Sequence, residues 1–203
     1  MTRIKLCGLS RICDIYTANI LMPEYIGFVF WQKSKRYVSP ELALTLRENL
    51  APRIHTVGVF VDENPEFISS LVHHGVIDII QLHGHEDDEY ISHLRTLAPS
   101  PIIKAFKIAS PDDTARAIHT SADYIMLDSG KGSGTLLDWE ILRGFSRPYF
   151  LAGGLTPNNI AAAINMLRPF AVDVSSGIET HGIKDKEKMT AFVNAVRQED
   201  NNI

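Results

Sequence analysis

Residues 148–175 read PYFLAGGLTPNNIAAAINMLRPFAVDVS. Two short apolar runs, Pro148–Ala152 and Phe170–Ser175, enclose a glycine turn and the capped helix start Thr156-Pro157-Asn158. Between them Ile160, Ala163, Ile164 and Leu167 recur at helical spacing. A strand, a helix and a second strand in so short a span is the pattern of two parallel strands joined by one crossover. Outward from this unit the pattern repeats. Six more apolar runs precede it, at Arg3–Cys7, Tyr25–Phe30, Ile54–Val61, Val76–Leu82, Ile102–Phe106 and Asp123–Asp128, with starts about 20 to 30 residues apart. Ser39-Pro40-Glu41, Asn64-Pro65-Glu66 and Ser110-Pro111-Asp112 open further helices with an N-cap and a proline in the first turn. Phe67, Leu71 and His74, and then Ile91, Leu94 and Leu97, give the period of two inward helix faces.

Eight strands each followed by a helix close most naturally into a (β/α)₈ TIM barrel of the α/β class, which typically takes ~250 residues. The 203 residues available predict a compact single-domain barrel over residues 1–203, with short or irregular helices after strands six and eight. An open doubly wound sheet would carry a G-x-G-x-x-G turn after its first strand, and Cys7-Gly8-Leu9-Ser10 has one glycine.

Composition narrows the function. Hydrophobic residues make up 45% and charged residues 22%, ordinary globular values that argue against disorder. Lys and Arg number 20 against 24 Asp and Glu, a net charge of −4 with no basic block, so nucleic acid is not an expected partner. The longest charge-free stretch, Pro148 to Leu167, is broken by two prolines and Gly153-Gly154, and no membrane span is expected. The opening residues lack the apolar segment of a secretory signal, so the expected location is cytoplasmic. Cys7 and Cys13 have neither metal-ligand spacing nor the C-x-x-C redox pattern. No long apolar surface pattern decides between a monomer and a homodimer.

Polar residues inside apolar strands carry the chemistry. Ile4 and Leu6 share one parity and Lys5 and Cys7 the other, so a lysine and a thiol face the barrel if the apolar pair faces the helices. Gln81 and His83 alternate with Ile80 and Leu82 in the same way. Asp128 ends strand six, Asp173 lies between Val172 and Val174 in strand eight, and Lys104 sits within strand five. Inward polar groups in a packed barrel must be paired or wet. Taken singly, each has a plain alternative. Cys7 fits a packed thiol, Asp128 a helix cap, His83 a donor to a backbone carbonyl, and Lys104 with Asp173 an interior ion pair that orders the barrel. Gly132-Ser133-Gly134, Gly153-Gly154-Leu155 and Ser175-Ser176-Gly177 follow strands six, seven and eight. Such turns let backbone N–H groups approach an anion, which points to a phosphorylated small molecule.

Assembled in order, these motifs resemble the phosphoribosylanthranilate isomerase family over nearly the whole chain. The likeness runs through Lys5-Leu6-Cys7-Gly8, Gly27-Phe28-Val29-Phe30, Lys33 to Pro40, Gln81-Leu82-His83-Gly84, Leu127-Asp128, Leu151-Ala152-Gly153-Gly154-Leu155 and Asp173-Val174-Ser175-Ser176-Gly177-Ile178-Glu179. It implies an Amadori rearrangement in tryptophan biosynthesis, with no metal or organic cofactor. Cys7 would be the general base and Asp128 the general acid, with Lys5 the cation that helps the thiol ionise. Arg36 matches the position that clamps the anthranilate carboxylate, and His83 and Asp173 match polar positions near the base. Gly153, Gly154, Ser176 and Gly177, with Gly132 and Gly134, match the phosphate end. Two features depart from the family pattern: a short loop after Asp128, and Leu137 where an aromatic residue commonly precedes Asp-Trp. The rival readings are a histidine-pathway phosphoribosyl isomerase, a bifunctional version of the two, and a non-catalytic phosphate-binding barrel.

Overall fold

In the computed structural model, which describes residues 1–128 and 139–202, the eight apolar runs pair as parallel strands in chain order, and the eighth returns to the first. They are β1 (Arg3–Cys7), β2 (Tyr25–Val29), β3 (His55–Phe60), β4 (Ile79–Leu82), β5 (Ile102–Lys107), β6 (Tyr124–Asp128), β7 (Tyr149–Ala152) and β8 (Ala171–Val174). Closure leaves no unpaired strand edge. The β1–β8 seam runs from Arg3 opposite Ala171 to Leu6 opposite Val174.

Alternation sorts the side chains into two cores. Ile4, Leu6, Ile26, Phe28, Phe60, Ile80, Leu82, Ile125, Leu127 and Val172 pack outward against the helices. Tyr25, Val57, Ile79, Ile103, Ala105, Met126, Phe150, Ala152 and Ala171 form a separate cluster that fills the barrel. At the N-terminal end of the strands Phe150 lies 5.5 Å from Tyr25 and 5.7 Å from Phe170, centroid to centroid. The Arg3 guanidinium lies 4.2 Å above the Phe170 ring.

The helices are α1 (Ile12–Leu21), α2 (Pro40–Glu48), α3 (Pro65–His73), α4 (Asp88–Leu97), α5 (Pro111–Ile118), α6 (Ile160–Leu167) and α7 (Lys186–Asn202). Ser39 and Asn64 accept from the backbone N–H three residues on, and Ser110 forms a capping box with Asp113. Three expectations are corrected. First, Thr156-Pro157 does not open a helix. The Asn159 side chain accepts from the Thr156 N–H at 2.8 Å and donates to the Gly154 carbonyl at 2.9 Å, holding the segment as a turn, and α6 begins at Ile160. Second, His74 is the exposed C-cap of α3, whose buried face is Ile68, Ser69 and Leu71. Third, among the described residues a 3₁₀ turn, Trp139–Leu142, precedes β7, but the helix after strand eight is not short. A 3₁₀ turn at Ser176–Ile178 and a hairpin, β9 (Glu179–Thr180) with β10 (Ile183–Lys184), lead into α7, which has 17 residues. That helix buries Met189, Phe192, Val193 and Val196. Among the described residues no helix is long and apolar enough to cross a membrane.

Candidate active site

Strand polarity places the site. In a parallel barrel every strand delivers its C-terminal end to the same rim. Cys7 and Asp128 are the last residues of β1 and β6, and β7 and β8 lie between them on the shorter way round. His83 directly follows β4 and presents its Nε2 3.3 Å from the Asp128 carboxylate. Behind it Gln81, 1% exposed, donates through its amide to His83 Nδ1 at 2.9 Å and to Met126 Sδ at 3.3 Å. A donor at Nδ1 leaves the His83 proton on Nε2, facing Asp128. The Gln81 carbonyl oxygen has no hydrogen-bond partner among the described residues.

At the other end of the site Cys7 is 7% exposed and packs with Val29 and Val59. Below it Lys5, fully buried, pairs with Asp173 at 2.7 Å across the β1–β8 seam. Burial pulls the Lys5 ammonium down, but Asp173 and Cys7 together outweigh it and hold Lys5 above the ordinary lysine value. Burial pushes the Cys7 thiol up. Lys5 and Lys184 pull the other way without reversing it, and Asp173 adds to the rise. Lys5 thus opposes the rise of the thiol without overcoming burial.

The expected Lys104–Asp173 pair does not form. Ile103 and Ala105 point into the barrel, so Lys104 faces the helix layer. There it donates to Glu86 at 2.6 Å and to the Gly84 carbonyl at 2.8 Å. Glu86 in turn accepts from the Asp62 and Gly84 backbone N–H groups, so this is a structural node beside the rim.

Arg36 follows β2 in the 31–39 segment, and its guanidinium Nε and Nη2 donate to Glu179 at 2.6 and 2.8 Å. Lys184, opposite Glu179 in the hairpin, donates to the same carboxylate at 2.6 Å and to the Ser175 carbonyl at 2.9 Å. The Ser175 hydroxyl donates to the Cys7 carbonyl at 3.1 Å, joining β1 to the residue after β8 at the C-terminal end of the seam. Neither Glu179 as a partner for Arg36 nor Lys184 was expected. Glu179 closes the Ser175 to Glu179 motif, whereas Lys184 carries no signal until the hairpin folds it back.

Two glycine-bearing turns reach the rim beside Ser175. Gly153 and Gly154 have positive φ, 89° and 67°, the left-handed conformation that glycine adopts at little steric cost. Gly177 lies so close to the Leu155 carbonyl that a Cβ there would collide with it. The loops after β7 and β8 thus pack against one another, with Ser176 beside them. Gly132 and Gly134, with the rest of the loop after Asp128, lie outside the described residues. Among the described residues no group of three His, Cys, Asp or Glu side chains is placed to hold a metal ion.

A family model for N-(5'phosphoribosyl)anthranilate (PRA) isomerase matches residues 4–195. The chain belongs to this isomerase family. A relative from Endomicrobium trichonymphae, N-(5'-phosphoribosyl)anthranilate isomerase, is 40% identical over 202 residues, covering 97% of this chain and 99% of its own. The crystal structure of phosphoribosyl anthranilate isomerase from Thermotoga maritima superposes with a TM-score of 0.90 at 36% identity, over 98% of this chain and 100% of that one. A structure of such an isomerase in complex with reduced 1-(o-carboxyphenylamino)-1-deoxyribulose 5-phosphate gives a TM-score of 0.88 at 36% identity, over 98% of this chain and 100% of that one. The TIM barrel and the membership of an isomerase family stand on these matches and on the closed sheet.

Proposed function

We propose that the chain converts N-(5'-phosphoribosyl)anthranilate to 1-(2-carboxyphenylamino)-1-deoxyribulose 5-phosphate, a step of tryptophan biosynthesis in the cytoplasm. The observation that carries this reading is the pairing at one rim of a thiol on β1 and a carboxyl on β6. The Gly153-Gly154 and Ser176-Gly177 turns lie between them. A carboxylic acid at Asp128 gives its proton to the ribose ring oxygen as the C1–O bond breaks, leaving an iminium between C1 and the anilino nitrogen. Cys7 then takes the proton from C2. The electron pair flows into the C1–C2 bond and neutralises the nitrogen, and the resulting enolamine tautomerises to the C2 ketone as C1 gains a proton and the C2 hydroxyl loses one. The nitrogen of the substrate is the electron sink, so no step calls for a metal or organic cofactor.

The raised Cys7 thiol sharpens the timing. At rest the base is protonated more than an ordinary thiol would be. Only the thiolate, its own proton given up to solvent, can take the C2 proton, and the positive charge of the iminium beside it favours that form. His83, proton on Nε2, donates to the carboxylate that Asp128 becomes. Arg36 takes the anthranilate carboxylate, a role suited to a planar fork. Lys5 and Asp173 hold the floor beneath the thiol, and Gly132 and Gly134 join the phosphate end.

The test is loss of phosphoribosylanthranilate fluorescence, with substrate generated in situ. The wild type is expected to consume it, and Cys7→Ser and Asp128→Asn to lose at least ~10²–10⁴ in kcat. Near-normal turnover in either variant removes that residue from the mechanism. A wild type that turns over only the aminoimidazole substrate of the histidine pathway overturns the reading.

A further inference from the structure

Glu179, in the hairpin after β8, joins two cations beside the site without a part in the proton transfers. Its side chain is 7% exposed and it accepts from two cations at once, Arg36 through Nε and Nη2 and Lys184 through Nζ, at 2.6, 2.8 and 2.6 Å. Burial pushes its carboxyl up, but the hydrogen bonds from Arg36 and Lys184 outweigh that and hold it below the ordinary glutamate value. The carboxylate is thus ionised and fully engaged.

Arg36 is engaged on one side only. The guanidinium has two hydrogen-bonding edges, and a carboxylate uses one edge at a time. The Nε–Nη2 edge is taken, whereas Nη1 makes no hydrogen bond among the described residues and the side chain is 31% exposed. The stem is pinned as well. Gly8, at φ +77°, leaves the space in which it lies, and a Cβ there would come within 2.5 Å of Arg36 Cδ. A fork held at its stem by Gly8 and along one edge by Glu179 loses little further freedom when it binds.

The charges complete the picture. Arg36 and Lys184 bring two positive charges and Glu179 one negative, which leaves one positive charge unmatched. We infer that Glu179 is a positioning residue for substrate recognition: it fixes Arg36 by its Nε–Nη2 edge so that the Nη1 edge meets the aryl carboxylate, and Lys184 offsets its charge. This rests on the reading of Arg36 as the carboxylate partner.

The test compares two substrates made in situ from ribose 5-phosphate, one with anthranilate and one with 2-aminobenzamide, whose neutral amide replaces the carboxylate. Glu179→Gln is expected to raise KM for the anthranilate substrate about 10- to 100-fold, with kcat within about 3-fold, and to leave KM for the benzamide substrate within about 2-fold. An equal rise for both substrates means that Glu179 only holds the hairpin together, and overturns the inference. Glu179→Asp, which keeps the charge but withdraws it by one methylene, carries the same contrast if Glu179→Gln does not fold. Arg36→Met separates the two levels. If it raises KM for the anthranilate substrate and Glu179→Gln does not, the inference alone falls. If Arg36→Met leaves that KM unchanged, the carboxylate reading of Arg36 falls and takes the inference with it.

Discussion

The Cys7 thiol is the residue whose state decides the chemistry, and its surroundings set the direction of its titration. Burial and Asp173 push its pKa up, while Lys5 and Lys184 pull it down by less. A raised thiol pKa means less thiolate at any given pH. In Cys13→Ser, where Cys7 is the one remaining cysteine, ultraviolet thiolate absorbance is expected to rise with a midpoint above the ordinary value of about 8.5. Lys184→Met should move the midpoint further up and Asp173→Asn should move it down. A midpoint at or below the ordinary value in Cys13→Ser would refute this account of the site. Strand parity made the inward Lys5 and Cys7 legible in the sequence, because Ile4 and Leu6 mark the other face. It failed for Lys104. Ile102, Ile103, Ala105 and Phe106 are apolar on both faces of β5, as a strand covered on both sides must be, so the sequence could not say which way the lysine points.

At the scale of elements, helix caps are local and testable. The Asp113 carboxylate accepts from the Ala109 and Ser110 backbone N–H groups at 2.9 Å and from the Ser110 hydroxyl at 3.0 Å, and it pairs with Arg116. The backbone bond from Ala109 and the Arg116 contact hold its pKa down to about 2. A depressed carboxylate stabilises the fold above its unfolded pKa, and that contribution drains away as pH falls towards the folded value. Ser110→Ala is therefore expected to cost ~1 kcal/mol in urea unfolding near neutrality. The gap between wild type and Asp113→Asn should narrow as pH drops from about 4 towards 2. A gap unchanged over that range would show that the ionised cap contributes nothing. Of the four caps read from the sequence three stand, because Ser39, Asn64 and Ser110 act on their own first turn. Thr156 misled because Asn159, three residues on, competes for the same backbone. Helix α7 was underestimated for another reason. Met189, Phe192, Val193 and Val196 have helical spacing, but they stand among charges in a segment where a short barrel had seemed to leave no room.

Across the whole molecule, closure is the step that brings the site together, and it is made where the ends of the chain meet. Strand β1 pairs with β8, 168 residues away, and among the described residues the one ion pair inside that seam is Lys5 with Asp173. Both partners are buried, Lys5 at 0% and Asp173 at 9% exposure. A buried pair returns little net stability when intact, because desolvation offsets most of its attraction. Breaking one side is costly, since a charge is left without a partner. Lys5→Met is accordingly expected to lower stability by about 3–5 kcal/mol in denaturant unfolding, a large share of what holds a domain folded. Lys5→Met with Asp173→Asn removes both charges and should recover more than half of that loss. If the double variant is as unstable as the single one, the seam depends on the lysine's packing, and the pair does not order the barrel. Recovery of the fold without recovery of activity would separate the two roles of this seam, since Lys5 also opposes the rise of the Cys7 thiol that the proposed chemistry must ionise.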